Sequence, residues 1–447
     1  MAWLIIISYL LLLLLVKRIK DGISRTLFFI YVSFWCASLF LFNLNSEEFY
    51  RVEDAIYYLL LGHLFTFLFG FLTVSPNKNA FKKALSVDIN VSKIVNNVPF
   101  ISLFLLCYIM VIILFKRQRE LLLIYSLADV RGDFMEMVLE GSALTFYSTV
   151  MTAMFHFCLC LFFYMLFFDR RWIYMFFFIS YSLMFAFLGG GRHQLMIIAY
   201  YMIGFLILKN FILSSILNSE RRYVFSKKIK ILMLIGFVFS FLGMSAFTAM
   251  RNGESEYNKD AIESGMQGLF DTFISYSTGP FSAFNIGLKE KQFRETRHYG
   301  KATFGGTEDL LRIVLLKRID LNYETSYNKV TGEVQNNRIM IGENKSWNYA
   351  YTSCFYYYCD FGIIGIFIFP FFLGLLTRLF FNMLERRLTI YSIAIYIFIS
   401  FCFYDSVFTC YLHKKVSVFY IFILLLLHYS YRFRSSKTRF DEPTIST

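Results

Sequence analysis

Long apolar runs alternate with short polar stretches along most of the 447-residue chain. Many runs approach the length that a helix needs to cross the hydrocarbon core of a bilayer, and charged residues cluster between them. The pattern therefore predicts an all-α polytopic integral membrane protein with about eleven transmembrane helices. The predicted spans are Ala2–Val16, Leu27–Phe42, Ile56–Val74, Val98–Phe115, Leu144–Phe168, Trp172–Leu188, Leu195–Leu208, Ile231–Met250, Phe361–Thr377, Leu388–Thr409 and Val416–Tyr431.

Positive charge falls mostly on one side of these spans. The first span has no basic residue before it, whereas Lys17, Arg18 and Lys20 follow it directly. If the N-terminus lies outside, the cytoplasmic segments hold 23 Lys and Arg and the short outer loops hold 8. Cytoplasmic loops carry such an excess, so we expect a periplasmic N-terminus and a cytoplasmic C-terminus. The net charge of +13 then reflects topology, and nothing in it indicates nucleic-acid binding.

Composition and loop length refine this topology. Apolar residues make up 57% of the chain and charged residues 17%, which excludes an ordinary soluble enzyme. We divide the chain into an N-terminal transmembrane bundle of about eight helices (1–250), a large periplasmic loop (251–350), C-terminal transmembrane helices (351–432) and a cytoplasmic tail (433–447).

The large loop carries 13 basic and 13 acidic residues, so its formal net charge is zero. A loop of this length usually has a function, although a solvated connector is the alternative. We expect a small folded lid that contains short helices and a turn at Tyr276–Pro280.

Gly189, Gly190, Gly191 and Arg192 join two apolar runs at a predicted outer turn. Glycines allow a tight turn with exposed backbone N–H groups, and the next helix begins with unpaired donors. Together with the Arg192 guanidinium, these groups suit an oxyanion or a diphosphate. The alternative is a tight helical hairpin whose arginine reaches lipid headgroups.

Two acids, Asp360 and Asp405, lie at or near the outer ends of predicted spans, where a carboxylate is costly unless paired. Asp360 suits a general base, a partner that orients an arginine, or an interfacial acid without a role. We interpret Asp405 as a helix-packing partner. His193, His298 and His413 lie on the predicted outer side, where a titrating base is accessible. No metal-binding or hydrolase motif is present in the sequence.

Three stretches in this order resemble the O-antigen polymerase (Wzy) family of oligosaccharide repeat-unit polymerases. They are Phe187–Gln194, Tyr276–Phe284, and Trp347–Thr352 followed by Tyr356–Gly365 with its Asp-Phe-Gly segment. The resemblance covers the second half of the chain in detail and the first half only as hydropathy. The chain departs from the family pattern in its eleven predicted spans and its short first span.

The resemblance implies a glycosyltransferase of the bacterial inner membrane that acts at the periplasmic face. Its substrates are undecaprenyl diphosphate-linked oligosaccharides, and it moves the growing chain onto the incoming lipid-linked unit. The expected partners are this substrate, membrane lipid, and a chain-length regulator and flippase of the same pathway, without nucleic acid. No cofactor and no metal are expected, because arginines can replace a metal at the diphosphate.

Site roles follow from the resemblance. Arg192 with the Gly189–Gly191 backbone and Arg251 are assigned to the diphosphate, and Asp360 and His193 to catalysis. Possible sugar contacts are Tyr276, Asn348 and Tyr351. The sequence leaves open whether His193, His298 or Asp360 accepts the proton.

Other functions compete with the polymerase. An O-antigen ligase shares the chemistry and the large outer loop. A lipid-linked oligosaccharide flippase or another transporter would show repeat symmetry and charges through the midplane, and the sequence shows neither. A purely structural member of an assembly complex is a further alternative.

Overall fold

The computed structural model describes most of the predicted spans. The described residues are 1–19, 22–44, 49–75, 94, 96–122, 138–139, 141–169, 171–188, 192–216, 274–275, 277–290, 293, 295, 297–314, 339–343, 345–347, 351–386 and 389–440. The predicted span Ile231–Met250 lies outside these ranges.

Helices dominate the described residues. They are α1 (Ala2–Lys17), α2 (Gly22–Leu44), α3 (Asp54–Thr73), α4 (Val98–Leu122), α5 (Gly141–Phe146), α6 (Thr152–Tyr164), α7 (Trp172–Leu188), α8 (Arg192–Ile216), α9 (Gly305–Val314), α10 (Ser353–Arg386), α11 (Ile390–Asp405) and α12 (Lys415–Phe440). Two π-helical turns, Tyr147–Met151 and Met165–Asp169, flank α6.

Each predicted span within the described ranges falls on a helix, so the coarse fold prediction is confirmed. Among the described residues, five helices are long and apolar enough to cross a membrane: Ser24–Leu44, Asp54–Thr73, Val98–Leu122, Gly141–Phe168 and Ser353–Met383. Several shorter apolar helices accompany them. This composition is that of an all-α membrane protein, whereas the number of crossings and their orientation stay predictions.

Large apolar side chains on several helices point away from the protein interior. Ile113 on α4 and Ile173 on α7 are 60% and 72% exposed. In water such surfaces would favour association, whereas hydrocarbon solvates them. These faces are therefore suited to contact lipid.

The closest helix packing joins α3 to α10. A Cβ atom on Gly374 would lie 2.1 Å from the Phe67 carbonyl oxygen, so only glycine allows this approach. Gly62 faces Phe367, and further along both helices Asn382 donates to the Ser75 carbonyl oxygen at 3.4 Å. The two helices therefore run parallel, as the predicted alternation of spans requires.

Several helix termini meet at one end of the bundle, which we call the loop end. The ring pair Phe42–Tyr57 joins the end of α2 to the start of α3. The Ser353 backbone N–H, at the start of α10, donates to the Ser406 carbonyl oxygen just after α11. α8 also begins here, since His193 contacts the residues that follow α11.

A sharp break divides α10. Phe361 has φ −136° and ψ 20°, and Gly362 has φ 65° and ψ −150°, a left-handed conformation that favours glycine. Helical residues begin at Ser353, before the predicted start of this span at Phe361. That predicted start coincides with the break, because the apolar run begins where the longer arm begins.

The described residues of the large loop include a helix and a hairpin. Residues 277–289 are helical, so the predicted turn at Tyr276–Pro280 is wrong for its described part. Strands β1 (Ile339–Gly342) and β2 (Lys345–Trp347) pair antiparallel, with Ile339 opposite Trp347. The loop therefore contains a small sheet as well as the expected short helices.

Candidate functional site

Asp360 binds a loop segment that the sequence did not connect to it. Its Oδ1 atom accepts the Ala302 N–H at 2.9 Å, and its Oδ2 atom accepts the Thr303 N–H at 2.8 Å. The His298 and Tyr299 N–H groups donate to the carbonyl oxygens of Cys359 and Asp360. Asp360 is fully buried, so its carboxylate holds residues 297–304, hereafter the clamp segment, against α10.

The clamp segment is also fixed from its other side. His413 Nδ1 donates to the Ala302 carbonyl oxygen at 2.6 Å, which requires a proton on Nδ1 because a carbonyl only accepts. Burial lowers the pKa of His413 to about 4, so its imidazole is neutral near pH 7. Lys415 and Asp309 form an ion pair at 3.2 Å that joins α12 to α9.

An arginine and an exposed aromatic ring border the clamp segment. The Arg297 guanidinium carbon lies 4.9 Å from the centre of the Tyr358 ring, and the group also lies beside Gly362 at the break of α10. Tyr299 has a positive φ of 50°, uncommon for a residue other than glycine, and it is 73% exposed. Its ring contacts Phe361, so a cation and an open aromatic surface adjoin at the helix break.

A second polar cluster lies beside the clamp segment, and we call it the histidine cluster: His193, Asp405, Tyr411 and Lys414. His193 Nδ1 lies 3.6 Å from Asp405 Oδ1, and its Nε2 lies 2.9 Å from the Tyr411 hydroxyl. The His193 side chain is 41% exposed, whereas Asp405 is fully buried. The cluster therefore has a partly exposed imidazole with a buried carboxylate behind it.

Lys414 supplies a positive charge to the histidine cluster. Its Nζ atom lies 4.2 Å from the centre of the Tyr411 ring, and the Asp405 carboxylate is within electrostatic reach. Burial lowers the pKa of Lys414 below its ordinary value, while the Asp405 charge opposes this shift. Charge balance in the cluster therefore depends on the Asp405–Lys414 interaction.

The histidine cluster is recessed within the bundle. The Trp35 indole N–H donates to the Ser406 hydroxyl at 3.0 Å, and the Trp35 ring lies 4.5 Å from the His63 ring. Trp35 and His63 are each nine residues from the loop end of their helix. At 1.5 Å per helical residue, Ser406 and the adjoining Asp405 lie about 13 Å below the loop ends of α2 and α3.

The structure places some of the proposed site residues together. Asp360 and His193 belong to neighbouring groups, because a path of hydrogen bonds runs from Asp360 through the clamp segment to His413, and residues 411–413 continue to His193. Tyr351 is buried and stacks on Phe355 at 4.3 Å between ring centres. The Arg192 backbone begins α8.

The other proposed site residues lie outside the described ranges. They are Gly189, Gly190, Gly191, Arg251, Tyr276, Asn348 and the side chain of Arg192.

Two roles differ from the sequence interpretation. Asp360 was open to a base role or to pairing with an arginine, and the geometry favours an orienting role with backbone amides as partners. Asp405 was interpreted as a helix-packing partner, but its carboxylate faces a partly exposed imidazole. The sequence identified both acids because they are charged residues near span ends. Their partners lie in segments that are distant along the chain.

Sequence reasoning missed Arg297, Tyr411 and Lys414. Arg297 belongs to no recognised motif, and only the fold brings it to Tyr358. Tyr411 and Lys414 lie in a short connection whose basic residues were counted only for topology. A search for polar residues at adjacent outer termini would have included the last two.

The chemical capacity of the loop end follows from these groups. A partly exposed imidazole backed by a carboxylate can take a proton from a hydroxyl group, and nearby cations can stabilise developing negative charge. Among the described residues, no group of three or more His, Cys, Asp or Glu side chains is placed to hold a metal ion.

Comparison of the chain with protein-family models, with curated proteins and with solved structures finds no match.

Proposed function

We propose that this protein polymerises undecaprenyl diphosphate-linked oligosaccharide repeat units into O-antigen or a related surface polysaccharide. The growing chain is transferred from its lipid carrier onto the terminal sugar of an incoming lipid-linked unit. Undecaprenyl diphosphate is the leaving group. The proposal rests on the family resemblance of the three motifs and on the polar groups at the loop end.

The proposed topology has eleven spans in the bacterial inner membrane, with the N-terminus and the loop end in the periplasm. The excess of basic residues in the predicted cytoplasmic segments supports this orientation. The parallel packing of α3 and α10 is compatible with it. The hydrocarbon-facing side chains of α4 and α7 support a membrane location.

One observation carries the proposal: the segments that bear the family-like motifs converge at the loop end. α8, which follows the glycine–arginine motif, contacts the connection after α11 through His193 and Tyr411. The same connection contacts the clamp segment through His413, and Asp360 binds that segment from α10. Transfer between two lipid-linked sugars needs a base and cations held close together in this way.

The available groups match the requirements of the reaction. Arg192, Gly189–Gly191 and Arg251 remain the proposed diphosphate ligands. His193 is the proposed base, because it is partly exposed beside a buried carboxylate. Asp360 is proposed to hold the clamp segment in place, and Arg297 to add a cation at the break of α10.

The test is the glycan banding pattern of a strain that lacks the gene. We expect surface glycan capped with single repeat units, because only the polymerisation step is lost. Complementation with Arg192→Ala should give no long chains at normal membrane abundance, whereas Arg192→Lys should restore part of the ladder. Complete loss of surface glycan in the deletion strain would instead indicate a flippase and overturn the proposal.

A further inference from the structure

Asp405 is unusual among the buried acids of the described residues. It is fully buried at the end of α11, and no described donor is aligned for a hydrogen bond with either carboxylate oxygen, although the Tyr411 hydroxyl lies near the carboxylate. His193 Nδ1 lies 3.6 Å from its Oδ1 atom. Asp360, by comparison, has both oxygens bonded to backbone N–H groups.

Helix packing alone does not account for this acid. A buried carboxylate without hydrogen bonds costs free energy that an apolar side chain of similar size would not. Ser406, the next residue, has its hydroxyl bonded to Trp35 and its carbonyl oxygen bonded to the Ser353 N–H, so the end of α11 is held without Asp405. The carboxylate therefore needs a role that depends on its charge.

The position of Asp405 favours one tautomer of His193. A carboxylate accepts hydrogen bonds, so it stabilises a proton on the Nδ1 atom that faces it. In this tautomer Nε2 is the basic nitrogen, and it accepts a hydrogen bond from the Tyr411 hydroxyl at 2.9 Å. Because His193 is partly exposed, a sugar hydroxyl can take the place of the Tyr411 hydroxyl.

We propose that Asp405 is the positioning residue that holds His193 in this tautomer and stabilises its charged form during transfer. The inference rests on the proposed polymerase function. The acceptor hydroxyl gives its proton to His193 Nε2, and its oxygen forms the new bond to the anomeric carbon of the growing chain. The bond from that carbon to the diphosphate breaks, and its electron pair leaves with undecaprenyl diphosphate.

The geometry resembles that of a carboxylate–imidazole pair in other enzymes, in which the acid fixes the tautomer and orientation of the base. The 3.6 Å separation is longer than a hydrogen bond, and such contacts often shorten once a substrate is bound. Five other titratable groups face the pair: Tyr200 on α8, His156 on α6, Cys402 on α11, and Tyr411 and Lys414 in the connection.

The experiment measures the protonation of His193 directly. Purified full-length protein in nanodiscs is treated with diethyl pyrocarbonate, which modifies neutral imidazole, between pH 5 and 9. Mass spectrometry of the His193 peptide gives the titration midpoint. We expect Asp405→Asn to lower this midpoint by about one pH unit or more, because the carboxylate stabilises the imidazolium. Asp405→Glu should keep it near the wild-type value.

A matched control is Glu53→Gln, which removes an exposed carboxylate paired with Lys289 at 3.0 Å, far along the chain from the pair. Its His193 midpoint should equal that of the wild type. If Asp405→Asn does not fold, Tyr411→Phe provides a second test. This change frees Nε2, so His193 should be modified several-fold faster at pH 8, and an unchanged rate would overturn the assigned tautomer.

The same preparations are assayed for polymerisation of lipid-linked repeat units. The inference is supported if the wild type polymerises and the Asp405→Asn variant shows two changes. These are the shifted His193 midpoint and a polymerisation rate reduced by about 100-fold or more. An unchanged midpoint overturns it, whatever the activity. If Asp405→Asn shifts the midpoint but the wild type makes no polymer, the result supports the pairing of Asp405 with His193 and overturns the polymerase function.

Discussion

The Asp360→Asn substitution tests how the clamp segment is held. The wild-type carboxylate accepts two backbone N–H groups, from Ala302 at 2.9 Å and Thr303 at 2.8 Å. The amide keeps one oxygen as an acceptor, but it presents an NH₂ group to the other N–H. One buried donor therefore loses its partner, and the remaining bond loses its charge.

The magnitude follows from the number and type of these bonds. A hydrogen bond to a charged group contributes about 1.5–3 kcal/mol, and an unpaired buried donor costs about 1–3 kcal/mol. We expect Asp360→Asn to lower the free energy of opening of the clamp segment by about 2–4 kcal/mol. Because about 1.4 kcal/mol corresponds to a factor of ten, the Ala302 and Thr303 amides should exchange roughly 30- to 700-fold faster.

Hydrogen–deuterium exchange of the protein in nanodiscs measures this rate, and mass spectrometry resolves the peptide that contains residues 297–304. Glu53→Gln serves as the control, because it removes a carboxylate from an exposed ion pair that contributes little. Unchanged exchange at Ala302 and Thr303 in Asp360→Asn would refute the clamp. Loss of polymerisation with unchanged exchange would instead indicate that Asp360 is the base.

Two further predictions concern packing and pH. Gly374→Ala places a Cβ atom against the Phe67 carbonyl oxygen, so it should destabilise the protein by about 1–3 kcal/mol in thermal unfolding. His413 has a pKa of about 4 in the folded protein against about 6.5 when unfolded, so the unfolded state binds more protons between these values. The contribution of His413 to stability should be constant above about pH 7, and it should fall by at most about 1.4 kcal/mol per pH unit as the pH decreases from 6.5 towards 4.

Matched variants separate these effects from general damage. Gly204→Ala meets only the flexible end of the Ile397 side chain at 2.9 Å, so it should cost much less than Gly374→Ala. Equal costs would contradict the close approach of α3 and α10. His413→Asn retains a donor for the Ala302 carbonyl oxygen and should flatten the acid slope; a slope equal to that of the wild type would exclude His413 as its cause.

Helix positions were predictable because they depend on local hydropathy. The predicted bounds Trp172–Leu188 coincide with α7, where polar residues flank the apolar run on both sides. The start of α10 was missed because Ser353–Asp360 is rich in tyrosine and cysteine and does not read as a span. This arm is buried under the clamp segment, so tertiary contacts rather than hydropathy stabilise it.

The loop was harder to predict. Its Gly279–Pro280 pair indicates a turn, yet residues 277–289 form a buried helix, and the ring of Trp347 packs against Gly279. Glycine serves there for close packing rather than for a turn.

For the site, the sequence predicted individual residues but not which of them pair. Hydropathy located Asp360, Asp405 and His193 near span ends, but it carries no information about pairing between residues far apart in the sequence. His193 and Tyr411 are separated by 218 residues, and Asp360 and Ala302 by 58. These pairs arise from the way the helices and the loop pack, so they required the three-dimensional structure.

Reconstituted polymerisation tests the proposed function most directly. Purified protein in nanodiscs is supplied with undecaprenyl diphosphate-linked repeat units, and the products are separated by length. We predict a ladder of longer lipid-linked glycans, with one undecaprenyl diphosphate released for each bond formed and no ladder with His193→Ala. Wild-type protein that carries the same units across a liposome membrane without joining them would contradict the account.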